Sequence, residues 1–161
     1  MPYDVGTSGT ATVQVVATGA SSQPWGVPVA AAAPGVFAAG SLGVGQAAAL
    51  NQDNSPNSAS NPAARGSVVQ FFGTGEGLTS PANVTGGVTQ GSGNSTTLPV
   101  TVTIGGIGAV VTYQGSAPGE VSGVMQVNAI VPAGVTPGAA APVVIQVGTQ
   151  KSQSGVAIAV R

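Results

Sequence analysis

A chain with no histidine and no cysteine must do any acid–base or nucleophilic work with carboxylates, amines and hydroxyls. Ser-His-Asp and Cys-His triads are thereby excluded, as are the usual zinc and copper ligand sets. The charged side chains are Arg65, Lys151, Arg161, Asp4, Asp53, Glu76 and Glu120. Paired carboxylates can cleave glycosides, and Glu76 in GTGEGLTSP and Glu120 in APGEVSG are the only glutamates. Both sit in glycine-flanked turns, so the sequence predicts two solvated loop acids rather than a catalytic pair. A sugar cleft would also need stacking aromatics, and Trp25, Tyr3, Tyr113, Phe37, Phe71 and Phe72 are all the chain has. A Ser–Lys dyad requires a buried, activated lysine. Lys151, in TQKSQS, reads as a solvated hairpin-turn residue.

Weaker constellations remain. NQDNSPN places side-chain oxygens at Asn51, Asp53, Ser55 and Asn57, every second residue as in a calcium loop. It holds one carboxylate, and no bidentate glutamate follows at the required distance, so a turn with Asx and serine hydrogen bonds is the better reading. GTGEG (73–77) and GSGNST (91–96) are glycine-rich but lack the lysine of a phosphate loop. NVT and NST make Asn83 and Asn94 possible glycosylation sites, placed on loops and therefore expected to be accessible. No cofactor is implied. Trp25 and Phe37 flank VPVAAAAPGVF and read either as core packing or, for Trp25, as an interface anchor.

The elements that would carry these residues are strands. TVQVV (12–16), VTVTI (100–104), AVVTY (109–113), VMQVN (124–128), VVIQV (143–147) and VAIAV (156–160) mix β-branched residues with polar or small ones, between Gly, Pro, Ser or Asn. That is a strand-and-turn pattern. SVVQFF (67–72) and GQAAALN (45–51) are further candidates. With 26 glycines and 12 prolines, long helices are disfavoured. Roughly nine short strands in an all-β sandwich are expected. Residues 51–66 and 79–97 read as surface loops, the second as the best candidate for a mobile or partner-facing loop.

Composition narrows the partners. Charged residues are 4% of the 161 and the net charge is −1, so nothing draws nucleic acid or an anionic membrane to the surface. Disorder is contrary to a chain that is 42% hydrophobic. No apolar run reaches the roughly 20 residues of a membrane helix, since Pro34 and Gly35 break VAAAAPGVFAA, and membrane insertion is not expected. No basic-then-apolar leader is visible, so the chain reads as a mature form or a piece of a longer one.

One pattern repeats. ATVQVVATG (11–19) matches APVVIQVG (141–148), and SSQPWGVPVA (21–30) matches SQSGVAIAV (152–160). Met1-Pro2 aligns with Val131-Pro132, Val5 with Val135 and Gly9 with Gly138, at an offset of roughly 130 residues, about one domain. The N-terminal copy reads as the closing hairpin of a domain whose earlier strands are absent.

VAAAAPGVF, GQAAALNQDNSPNSASNPAARGSVVQFFGTGEGLTSP, LPVTVTIGG, YQGSAPGEVSGVMQVNAIVPAGVTPG and APVVIQVGTQKSQSGVAIAV together resemble an uncharacterised C-terminal domain repeated in secreted proteins of Acidobacteria (Solibacter-type). The resemblance covers residues 29–161, and residues 1–28 resemble the tail of a preceding copy. It implies an extracellular, Ig-like β-sandwich and carries no activity or site residues. The expected organisation is an N-terminal β-hairpin extension over 1–33 and an Ig-like β-sandwich over 34–161.

An isolated two-stranded hairpin is marginal in water, so residues 1–30 must pack on their own sandwich or on a neighbour. Sheet edges are normally guarded by charge, especially lysine, and this chain has almost none. Strand donation to another subunit is therefore expected, through Pro2, Tyr3, Val13, Val15, Trp25, Val27 and Val29. A donated terminal segment makes head-to-tail contacts, which close into rings or run on as filaments. The functional expectation is a non-enzymatic structural protein at the cell surface or outside the cell, polymerising with itself into a filament or surface layer. The alternative is an adhesive or carbohydrate-binding module whose partners are cell-surface glycans.

Overall fold

The computed structural model describes residues 5–161, so Pro2 and Tyr3 lie outside the described residues. Alternation of β-branched with small or polar residues makes a strand one-sided, and strands form where that alternation occurs. In chain order they are β1 (Gly9–Val13), β2 (Val16–Ala17), β3 (Ala20–Ser21), β4 (Trp25–Val29), β5 (Gly35–Val36), β6 (Gly45–Gln46), β7 (Ala49–Asn51), β8 (Val68–Thr74), β9 (Thr79–Ser80), β10 (Ser95–Thr96), β11 (Val100–Ile104), β12 (Ile107–Ser116), β13 (Met125–Ile130), β14 (Gly138–Val147), β15 (Gln150–Lys151) and β16 (Val156–Val160). The protein is all-β. The expected nine or so strands become sixteen segments. Seven of those are two-residue pieces, which tertiary pairing creates and which no sequence period marks.

The body is one large curled sheet running β5-β8-β13-β12-β11-β14-β16-β6. Two long strands carry it around its corners. Ile107–Ala109 of β12 pairs with β11, while Val110–Ser116 pairs with β13 past a register shift between Val111 and Tyr113. In the same way, Val143–Val147 of β14 pairs with β11 and the start of the strand pairs with β16. Bulges of this kind bend a strand and let it serve two directions. The two ends of the path are then joined by a bridge between Ala38 and Ala47.

The curl encloses the apolar face of each strand. Val69 and Phe71 of β8, Val102 and Ile104 of β11, Met125 and Val127 of β13, Val143 and Ile145 of β14, and Val156 and Ile158 of β16 are all buried. In β8, β11 and β13 the alternate residues are more exposed, as period two requires, whereas Ile158, Ala159 and Val160 of β16 are all buried. The chain enters this body at Ala31–Pro34, where Ala32 and Pro34 are buried and Ala33 N–H donates to Gly75 O at 3.0 Å. Gly75 and Gly77 have positive φ and lie so close to the carbonyls of Ala33 and Ala31 that a Cβ at either would collide with them.

Outside the body stands a separate two-stranded ribbon. β1 and β4 pair antiparallel from Gly9↔Val29 to Val13↔Trp25, and β2 and β3 extend the ribbon to a turn at Thr18-Gly19. Both turn residues have positive φ, which suits a tight two-residue hairpin.

Candidate functional site

The described acidic residues, Asp53, Glu76 and Glu120, sit in different settings. Glu76 is buried, not solvated. Its Oε1 accepts from Asn83 Nδ2 at 3.0 Å and from Ser116 Oγ at 3.1 Å. Asn83 Nδ2 also donates to Ser116 Oγ at 2.6 Å, and Asn94 Nδ2 donates to Asn83 Oδ1 at 2.8 Å. Tyr113 OH donates to the Ser116 carbonyl at 2.6 Å. Burial, and then the Glu76 carboxylate, push the Tyr113 phenol above its ordinary value. Glu120 is exposed, so the two glutamates do not line one open cleft. Lys151 is exposed in β15.

This network involves two segments that the sequence marks as loops. Residues 79–97 are anchored to the body at three points and exposed between them: β9 pairs with β10, and Thr79, Thr89 and Thr96 are buried, while Val84 and Val88 are exposed. Asn83 and Asn94 are half-buried, and their amide nitrogens donate within the fold. The local sequence marks a loop, and nearby Glu76 together with Ser116, 33 residues from Asn83, ties it down.

The alternating oxygens of NQDNSPN diverge. Asp53 is exposed, and its Oδ1 accepts from Ser55 N at 3.0 Å and Ser55 Oγ at 2.5 Å, which hold the Asp53 carboxyl below its ordinary value. Asn51 and Asn57 are buried. Asn57 Nδ2 donates to Asn51 Oδ1 at 2.9 Å and to the Ala159 carbonyl at 3.0 Å. Asn57 Oδ1 accepts from Gln46 Nε2 at 3.0 Å and Ala159 N–H at 2.8 Å. These oxygens are committed to protein donors, and the segment is an Asx turn plus a buried asparagine pair. Among the described residues, no three His, Cys, Asp or Glu side chains gather as a metal site would need.

The ribbon carries one group of the exposed apolar side chains, while Leu42, Val84 and others stand exposed on the body. Period two puts Ala11, Val13 and Val15 on one face, and cross-strand pairing adds Trp25, Val27 and Val29 to it. Val13 is 47% exposed, Val15 64% and Trp25 73%; Val27 and Val29 are half-covered. The opposite face carries Thr10, Thr12, Gly26 and Pro28. Trp25 and Phe37 are both exposed, so neither packs in the core.

The ribbon's pairing follows that of the β14–β16 hairpin, except that β14 carries one extra residue at a register shift between Gly138 and Ala141. Gly9↔Val29 repeats Gly138↔Val160, Ala11↔Val27 repeats Ala141↔Ile158, and Thr12↔Gly26 repeats Pro142↔Ala157. At the tip, Val16↔Ser21 and Ala17↔Ala20 repeat Gln146↔Lys151 and Val147↔Gln150. A reciprocal serine bond recurs as well. Ser22 N–H donates to Val15 O at 2.9 Å while Val15 N–H donates to Ser22 Oγ at 3.0 Å. Ser152 N–H donates to Ile145 O at 2.8 Å while Ile145 N–H donates to Ser152 Oγ at 3.1 Å. Each position on the ribbon's apolar face corresponds to a buried one in the second hairpin, where Val143, Ile145, Val156 and Ile158 are at most 1% exposed. Ser22 and Gln23 were not singled out by the sequence, although the recurrence of SSQ in KSQ carried the signal.

No protein-family model, curated protein or solved structure matches this chain.

Proposed function

We propose that this protein is a non-enzymatic extracellular structural protein, an Ig-like β-sandwich unit that assembles head-to-tail because its leading ribbon is taken up by the unit before it. One observation carries the reading: a hairpin whose second copy is buried in the core stands bare in the first. An apolar face of Val13, Val15 and Trp25 left in water forfeits roughly 1.5–3 kcal/mol per side chain that burial would return. Shelter by another molecule recovers it. The near-absence of charge supports the same reading, because like-charge repulsion between units would be slight. The turning of Glu76 into the fold and the lack of histidine and cysteine favour a non-catalytic role. Placement outside the cell rests on the resemblance of residues 29–161 to domains repeated in secreted proteins.

Light scattering and negative-stain microscopy of the full chain and of a chain lacking residues 1–29 test this. The full chain should form end-to-end species that grow with concentration, and the truncated chain should remain monomeric. A full chain that stays monomeric at high concentration would sink the proposal.

A further inference from the structure

Ser116 Oγ, Asn83 Nδ2 and Glu76 Oε1 form a closed triangle. The hydroxyl donates to the carboxylate at 3.1 Å, and the amide donates to the carboxylate at 3.0 Å and to the hydroxyl at 2.6 Å. These are the parts of an acyl transfer: a nucleophilic oxygen, a general base bonded to it, and a carbonyl carbon one C–N bond, about 1.3 Å, beyond the nitrogen that the oxygen touches. A fourth part is present. Asn94 Nδ2 donates at 2.8 Å to Asn83 Oδ1, the oxygen on which negative charge gathers during attack. We infer that Ser116 and Asn83 become joined by a self-formed ester bond, with Glu76 as proton carrier and Asn94 as oxyanion donor.

The fold brings the four groups together and keeps them dry. Glu76 lies between Gly75 and Gly77, which have positive φ and pack against the carbonyls of Ala33 and Ala31. Asn83 N–H donates to Thr79 Oγ1 at 3.0 Å. Ser116 N–H donates to the Asn94 carbonyl at 2.9 Å, and a Cβ at Gly115 would collide with that same carbonyl. Ser116 and Glu76 are at most 1% exposed, which shields an ester there from hydrolysis. Groups fixed on one scaffold also react without the entropy loss of an encounter.

The step balances within the chain. Glu76 takes the proton of Ser116 Oγ as that oxygen bonds to Asn83 Cγ, and the carbonyl electron pair moves onto Oδ1. The pair then returns, the Cγ–Nδ2 bond breaks, and Glu76 passes the proton to the departing nitrogen. The products are one ester and one ammonia, and no co-reactant is consumed. Loss of ammonia to water, where it is protonated, draws the exchange forward. Attack requires the hydroxyl above the amide plane, a position that the broad χ2 torsion of asparagine allows. Each molecule reacts once, so the chain remains non-enzymatic, and the bond is independent of the assembly reading. In a chain without cysteine it ties segment 79–97 to β12 across 33 residues, as a disulfide does elsewhere.

Mass spectrometry of the intact, purified full chain should find it lighter than its sequence by one ammonia. Chymotrypsin cuts after Leu78, Tyr113 and Met125, so a digest should hold residues 79–113 and 114–125 as one joined species that hydroxylamine separates. Ser116→Ala should carry the full mass. Glu76→Gln should do so as well, because an amide keeps the shape but cannot take the proton. Asn94→Ala should show a larger unlinked fraction at matched times after synthesis. A parent chain at full mass overturns the proposal without recourse to any variant. An ammonia loss that persists in Ser116→Ala, or that leaves 79–113 and 114–125 unjoined, overturns it too, since a succinimide also sheds ammonia. Linking that is unchanged in Glu76→Gln overturns Glu76 as the proton carrier.

Discussion

Asn57 is buried and ties its segment to β6, β7 and β16. It joins Asn51, Gln46 and both backbone groups of Ala159. Asn57→Ala strands several buried polar groups at once, each costing about 1–3 kcal/mol, and should lower the urea midpoint sharply. Added calcium should not raise the midpoint of the parent protein, because the oxygens of 51–57 already accept from protein donors. Tyr113 supplies a test of the network around Glu76, Asn83 and Ser116. Its phenol is raised above 10.0 by burial and the Glu76 carboxylate, so its contribution is fully present below pH 10.0 and is lost as pH rises through the folded value. Tyr113→Phe should flatten that alkaline loss of stability while costing about 0.5–1.5 kcal/mol at neutral pH for the bond to Ser116 O. Neither network was legible in sequence. GTGEG and NQDNSPN read as solvated turns because the groups that bury them, Ser116 and Ala159, lie far along the chain.

The two hairpins offer a controlled comparison at the next scale, because the same serine device sits in water in one and in the core in the other. Ser152→Ala leaves the buried Ile145 N–H without its acceptor and should cost about 1–3 kcal/mol of global stability by chemical denaturation. Ser22→Ala removes the matching bond from Val15, where water can replace it, and should leave the global midpoint unchanged. Equal losses in the two variants would mean that the ribbon belongs to the folding unit of the body. At this scale the sequence was informative. The strands at 100–104, 143–147 and 156–160 were visible as alternation, and the ATVQVV/APVVIQV echo marked the hairpin copy. The two-residue strands were not visible, since a pair of residues has no period and is a strand only when a neighbour bonds to it.

Across the whole molecule, the ribbon and the body behave as unequal parts. Removing residues 1–29 deletes a separate two-stranded sheet and none of the buried core, so the truncated chain should melt at the temperature of the parent when both are dilute. A drop of several degrees would show that the ribbon packs on its own body in solution. What the sequence determined by itself is local: alternation dictates strands, glycine and proline dictate turns, and the missing histidine, cysteine and charge remove whole classes of chemistry. Only the tertiary structure decided which of two similar hairpins is buried. Val13, Val15 and Trp25 are as apolar as Val143, Ile145 and Val156, but burial depends on what lies opposite, and β11, Gly45 and Val36 stand opposite one hairpin alone.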